Sequence, residues 1–507
     1  MKIKKLQNNA RFELIRKKLA ALALNMPARS SLYFTASNLI SKAASFIFIP
    51  IFTRLLTPAE YGEYSLFSSY LSVAIVIVTL EIPGSVIMRA FQKKRGLENL
   101  AVITASALPL ALTLPCVLIL SAVRGGLEFS LANTFLTISL ASLSFINLYT
   151  SACKFLYRWR APLLVALIQS VIAPIAAILL INVDSLGRYE HITLKVGTGS
   201  IITALTALTL FFVALPRAVK EAKAATLGLS SYLRYAAELY RTLLSLCLPL
   251  LPYYFSVMII SQADKLIISS RLGSDALGKY SLAYSAGMAA AAVTGGVMSA
   301  LCPWIMRKVR AGEIGTVRRA IGTISDMALP AVVIFLSASP EIFSLLAPKS
   351  YEIALPVLFI TAQAPLSLAL CSCLCSIAVA KEKTLGTLIS GVSCATVTVA
   401  LDFILIGRAP FFIPALITAG GYTALMLLEA AGVKRILRES AINVNKTFQN
   451  ILFGAFFASA IFVLKGFVLP RIAIATCAAG YLLYMLRKSK WLLGEKSGGE
   501  SKQQLPS

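Results

Sequence analysis

The chain has 507 residues, of which 58% are hydrophobic and 14% charged, and its mean hydropathy is +0.79. A soluble protein this apolar could not cover its own surface with polar groups, so a soluble enzyme is excluded and much of the surface must face lipid. Lys and Arg total 48 against 22 Asp and Glu, a net charge of +26. That base is dispersed between long apolar runs, which points away from nucleic acid and toward the basic loops of a polytopic membrane protein.

Residues 1–30 form a basic segment. Within it the stretch RKKLAALALNMPA (16–28) imitates a short signal peptide. Its apolar part is brief, begins late and runs at once into a full span, so an amphipathic cytoplasmic segment at the membrane surface fits better. About 20 mostly apolar residues cross a bilayer as a helix. Segments of that kind lie at 31–52, 64–88, 99–120, 127–149, 162–182, 193–215 and 246–269. Seven more lie at 280–304, 320–339, 353–378, 384–407, 411–431, 449–468 and 470–487, giving fourteen spans. Loop charge tests this count. If sides alternate from a cytoplasmic N-terminus and basic residues near span ends are counted with the adjoining loops, the cytoplasmic segments hold 36 Lys and Arg, the outer loops 11, and Lys42 alone is left to a span. The bias supports fourteen spans with both termini cytoplasmic.

A repeat organises the middle of the chain. RLLTPAEYGEYSL (Arg54–Leu66) returns as RLGSDALGKYSL (Arg271–Leu282) with one residue deleted, so that Gly62 matches Gly278 and Tyr64 matches Tyr280. Each copy follows the first span of a six-span block, and six is even, so the blocks form a parallel repeat of the kind that cradles a central cavity. The expected fold class is therefore an all-α polytopic membrane protein of about fourteen transmembrane helices. Two six-helix lobes, 31–215 and 246–431, are joined by a basic cytoplasmic linker, 216–245. Residues 432–493 hold a further linker and a C-terminal helix pair, and 494–507 a polar, disordered cytoplasmic tail.

Polar residues inside spans are the candidate site. Ser31, Thr35, Asn38, Lys42 and Ser45 recur at alternating steps of four and three, which places them on one face of the first helix. Lys42 is 11 residues into that span, about 16 Å deep at about 1.5 Å per residue. A charge there costs at least about 2.5–3.5 kcal/mol and must face a partner or water. A wet lumen wall and a lysine tied to neighbouring carbonyls or an acid both meet that demand. Glu81, Asp264, Asp326, Asp402 and Glu429 are the acids in or near spans. Glu81 precedes Pro83-Gly84, a sequence that breaks or bends a helix. The nine cysteines lie in apolar runs or basic loops and suggest no disulfide framework. Cys371, Cys373 and Cys375 alternate, which on a helix points them in different directions and suits packing rather than a metal. The single histidine, His191, falls in a short outer loop and reads as a solvated residue; no metal site or cofactor is expected.

The stretch NLISKAASFIFIPIFTRLLTPAEYGEYSL (Asn38–Leu66) resembles the opening of Wzx-type O-antigen and polysaccharide flippases. These belong to the multidrug/oligosaccharidyl-lipid/polysaccharide exporter superfamily. QADKLIISSRLGSDALGKYSLAYS (Gln262–Ser285) resembles the start of that superfamily's second lobe. The resemblance implies a non-enzymatic flippase of the bacterial inner membrane. Its cargo would be a polyprenyl-diphosphate-linked oligosaccharide, moved to the outer leaflet by alternating access. A diphosphate would meet Lys42, Asn38, Arg54, Arg89 and Arg271, since Arg grips such an anion with paired donors and Lys acts as a point charge. Loop fixation serves equally for Arg54 and Arg271, and positive-inside anchoring for Arg89. Asp264 occupies a position at which related lipid II flippases carry an aspartate associated with sodium, and Asp402 would be its second ligand. An Asp264 solvated beside Lys265 is the plain alternative. Energy would come from a sodium or proton gradient, and no ATPase signature appears. The expected partners are the lipid-linked glycan and membrane lipids, with a glycan polymerase and chain-length regulator beside a monomeric flippase. The competing functions are a drug or cation exporter, which would want acids where Lys42 stands, and a membrane polymerase or ligase, which would need a sizeable outer loop.

Overall fold

The structure, a computed structural model, describes residues 41, 44, 46–82, 96–123, 131–156, 158, 160–182, 191–225, 228–289, 298, 301–302 and 304–488. Among them it is helical throughout, with no strand. The elements are α1 (Phe46–Leu55), α2 (Pro58–Thr79), α3 (Glu98–Val123), α4 (Leu131–Phe155) and α5 (Arg160–Ile181). They continue with α6 (His191–Ala224), α7 (Leu229–Cys247), α8 (Leu251–Gly287), α9 (Ile314–Leu346) and α10 (Leu355–Thr361). The last five are α11 (Ala364–Ala380), α12 (Leu385–Leu405), α13 (Ile413–Leu437), α14 (Val444–Val463) and α15 (Val468–Lys488).

Eleven helices among the described residues are long and apolar enough to cross a membrane, and each falls on one of the expected spans. Of the three other spans, 31–52 lies largely outside the described residues, and 280–304 is described only at 280–289, 298, 301–302 and 304. The span 246–269 is the first part of α8, whose polar run at 261–265 lowers its hydropathy. The all-α polytopic class therefore stands. Boundaries moved where capping outweighs hydropathy. α2 starts at Pro58, six residues before its apolar run, because Thr57 caps the Glu60 amide and Glu60 returns a bond to the Thr57 amide. It stops at Leu80 and Glu81, both with positive φ (50° and 55°), just before Pro83-Gly84.

The chain divides into two compact units. The first comprises Met1–Ser281, Leu346–Pro348 and Gly391–Pro410, so it takes in the first part of α8 and most of α12. Its core joins α3, α4, α6 and α7, and a smaller cluster joins α2, α3 and α4. The basic stretch between the expected lobes is helical. α6 runs on through Pro216 to Ala224, where Glu221 accepts from the Leu100 amide at 2.9 Å and so satisfies the start of α3. α7 buries Tyr235, Leu239, Leu243 and Cys247, spaced by four and so on one face, against that core.

The second unit comprises Leu282–Leu345, Lys349–Ser390 and Phe411–Ser507. Tyr351, Tyr422, Leu370 and Met426 are fully buried in it. Ion pairs pin its helix ends: Arg318 to Glu439 at 2.8 Å, and Lys446 to Asp326 at 2.5 Å. Arg471 is buried and grips Glu341 with two nitrogens while donating to the Ser337 carbonyl at 2.8 Å. Cys371, Cys373 and Cys375 are buried thiols in this packing, with Cys373 Sγ 3.5 Å from Met298 Sδ. Exposed apolar side chains such as Leu469 and Ile472 on α15 suit a lipid-facing helix.

Candidate functional site

The two copies of the repeated motif meet each other within the first unit. In the first copy the chain turns between α1 and α2 with the Thr57 capping box. In the second it turns inside α8 at Gly273, whose φ of 85° an L side chain rarely adopts. Glycine makes the break with one residue fewer, which accounts for the deletion. Beyond the breaks, Gly62 and Gly278 face each other. A Cβ at Gly62 would strike the Ser274 carbonyl and lie 3.0 Å from the Gly278 nitrogen. A Cβ at Gly278 would strike the Pro58 carbonyl and lie 3.0 Å from the Gly62 nitrogen. Backbone therefore packs on backbone, in a reciprocal contact only glycine permits.

Lys42, Asn38 and Arg89, three of the residues expected to meet the substrate, fall outside the described residues. Arg54 is exposed at the end of α1 and donates to its own helix, Nη1 to the Pro50 carbonyl at 2.9 Å. Its repeat partner Arg271 reaches across to α12. Its Nη1 donates to the Ile406 carbonyl at 3.1 Å, and its guanidinium carbon stands 4.2 Å from the centre of the Phe403 ring. The motif's two arginines are thus turned to different neighbours.

Asp264 and Asp402 are brought together. Both are fully buried and within electrostatic range of each other, Asp264 on α8 and Asp402 on α12. Asp264 is well supplied: Tyr280 donates to Oδ2 at 2.6 Å and the Lys265 amide to Oδ1 at 2.7 Å. Tyr280 belongs to the repeated motif, so the repeat reaches into this cluster. The Lys265 ammonium turns aside to Gln262 Oε1 at 3.1 Å and to the Ser261 carbonyl. Asp264 is therefore not a solvated group beside a lysine. The Asp402 carboxylate oxygens have no hydrogen-bond partner among the described residues. A buried carboxylate left in that state is costly unless a cation or proton joins it.

The sequence reading missed Lys195. Counted with an outer loop, it is the fifth residue of α6 and is only 8% exposed. Its ammonium lies 3.5 Å from the Tyr64 ring centre, 4.0 Å from Phe52 and 5.3 Å from Tyr61. Aromatic faces take the place of an acid. His191, one turn earlier on the same face, is exposed as expected and lies 3.5 Å from the Glu60 of the capping box, so it bridges α6 to α2 while still meeting solvent. The spacing of four between His191 and Lys195 was the available signal, since it puts both on one face of a helix.

The fold is one that transporters share. A structure titled lipid II flippase MurJ, in an inward closed conformation, matches with a TM-score of 0.58 at 16% identity, over 91% of this chain and all of that one. The Vibrio cholerae MATE transporter VcmN matches with a TM-score of 0.57 at 14% identity, over 83% of this chain and 98% of that one. A MOP superfamily transporter from Pyrococcus furiosus matches with a TM-score of 0.52 at 15% identity, over 87% and 98%. At such identities the likeness is one of fold. No curated protein matches the chain in sequence. The profile of one family, described as "Polysaccharide biosynthesis protein", matches residues 28–308. That stretch holds both copies of the repeated motif, the caged lysine and Asp264, and with more than half of the sequence inside it the chain belongs to the polysaccharide biosynthesis protein family.

Proposed function

We propose that the protein is a flippase carrying a polyprenyl-diphosphate-linked oligosaccharide, an O-antigen or other surface-polysaccharide repeat unit, from the cytoplasmic to the outer leaflet of the bacterial inner membrane. The family supports the glycan; the placement of charge supports transport. The observation carrying the reading is the Asp264–Asp402 cluster, with its charged groups sunk between membrane-spanning helices rather than set on an outer loop where a polymerase or ligase would need them. A lipid tail can stay in hydrocarbon, but a diphosphate and sugars need a polar route across. Lys42 and Asn38 on the first helix, with Arg54, Arg89 and Arg271, would give that route the sign an anionic headgroup requires.

The cluster also supports coupling. The Asp402 carboxylate is buried with no hydrogen-bond partner among the described residues, so a positive charge beside it would lower its cost. A sodium ion or a proton would supply that charge, and its differential binding in two states would let a gradient bias alternating access. Glycan polymerase and chain-length regulator are the partners this role implies, with the flippase itself a monomer whose termini are both cytoplasmic.

Deleting the gene tests the reading. Surface polysaccharide should be depleted while lipid-linked oligosaccharide accumulates on the cytoplasmic leaflet. A polymerase defect would instead leave single repeat units exported, and loss of a drug exporter would leave surface glycan normal. Lipid-linked units on the outer leaflet at parental levels would eliminate the assignment.

A further inference from the structure

An apolar groove of about 700 Å³ runs between α8 and α12, within the first unit. That volume is within the range of about 300–1,000 Å³ usual for ligand sites. Phe255 and Ile259 form one wall, and Val399, Ala400 and Phe403 the other. The two hydroxyls on its walls are committed to their own helices: Ser256 Oγ donates to the Pro252 carbonyl at 2.6 Å, and Thr396 Oγ1 to the Val392 carbonyl at 2.9 Å. The walls therefore offer a ligand mainly hydrocarbon. Their helices close on each other beneath it at Gly391, where a Cβ would lie 3.0 Å from Tyr253 Cδ2.

Its rim is different. Phe403, a wall residue, carries the Arg271 guanidinium on its ring. Among the described residues Arg271 pairs with no carboxylate, and the Ile406 carbonyl is the acceptor it has. The groove is lined on α8 from Pro252 to Ile259 and on α12 from Val392 to Ile404, and the latter two stand 12 positions apart, about 18 Å at about 1.5 Å per residue. That is a little over half of the hydrocarbon thickness of a bilayer, about 30 Å. The groove thus lies along the helices rather than across them, apolar over its length and cationic at one end.

We propose that this groove holds the polyprenyl tail of the lipid-linked substrate, with Arg271 at its rim gripping the diphosphate. The inference rests on the flippase reading and adds a path for the tail. One groove suits one chain: a polyprenyl lipid has a single long branched tail and two phosphates, whereas a phospholipid has two tails and one phosphate. A guanidinium that is half committed to a carbonyl still presents paired N–H donors to phosphate oxygens.

The test uses the full chain in nanodiscs, with polyprenyl diphosphate, polyprenol and phosphatidylglycerol as separate probes and binding read by native mass spectrometry. Ala400 is exposed, so Ala400→Trp fills the groove without entering the core. It should weaken polyprenyl diphosphate about tenfold. Thr396→Trp, equally exposed, should do the same. Arg271→Ala should remove the preference for polyprenyl diphosphate over polyprenol, and Arg271→Lys should keep part of it. Phosphatidylglycerol competing as well as polyprenyl diphosphate would overturn the proposal, as would unchanged binding in both tryptophan variants. Either failure leaves the export defect of the deletion strain intact, so the loss of this inference and the loss of the flippase reading are distinguishable.

Discussion

Replacing Gly62 with alanine puts one methyl into a contact made of backbone. The new Cβ would strike the Ser274 carbonyl and stand 3.0 Å from the Gly278 nitrogen. Carbon contacts are comfortable at about 3.5–4.0 Å, and neither neighbour is a side chain that can swing aside, so the helices must part. Overpacking of this kind costs about 1–3 kcal/mol, and an unyielding backbone places it at the upper end. Alanine returns about 1 kcal/mol of helix propensity. The net loss is about 2 kcal/mol, about 30-fold in the folded-to-unfolded ratio. Gly278→Ala should cost the same, because the contact is reciprocal. The double variant should cost far less than the sum, since helices already parted by one methyl accommodate the second. Unfolding in mixed micelles with increasing sodium dodecyl sulfate measures all three. Gly420→Ala, where a Cβ meets open space, is the control and should not destabilise. A Gly62→Ala curve that overlays this control, or a double variant equal to the sum, would refute the backbone contact.

Other outcomes follow from the same residues. Lys195→Met should accumulate in the membrane like the parent, because burying an apolar chain removes the desolvation cost that the aromatic faces offset, whereas Lys195→Glu should not; equal abundance of the two would refute a closed cage. Asp402→Asn and Asp264→Asn should each fold but lose the dependence of glycan transport on a sodium or proton gradient, and transport with parental ion dependence in both would remove the coupling role. Reporter fusions after Lys308 and Lys446 should report cytoplasm and those after Arg188 and Arg408 the outer side, with reversed signals at two of them sinking the fourteen-span topology.

The sequence made some of this architecture legible and hid the rest. Long apolar runs and loop charge located the helices, because a membrane penalises every stray charge and unpaired amide. Their ends were less legible: the start of α2 is set by the hydrogen bonds of Thr57 and Glu60, which hydropathy does not register. α7 looked like a linker because its polar and charged residues keep it from reading as a membrane span, while four residues spaced by four bury its other face. Asp264 and Asp402 stand 138 positions apart, and only the packing of α8 against α12 brings them into one pocket of charge. Lys195 was hidden for a related reason: its aromatic partners come from α1 and α2, and a lysine near a helix start resembles any loop lysine until the rings are in place.

The crossing of Gly62 and Gly278 bears on why the repeat is visible at all. Most positions in the two halves see different surroundings, so nothing obliges them to keep a common residue. These two see each other. Each copy of the motif is the mould for its counterpart: Pro58 and Ser274 offer their carbonyls to the opposite glycine in the same register. A change in one copy alters the surface against which the other must fit, so the copies are held to a shared form here as if they were two halves of a homodimer sealed within one polypeptide. Where a duplicated chain touches its own duplicate, the ancestral symmetry has a physical keeper, and elsewhere it is free to fade.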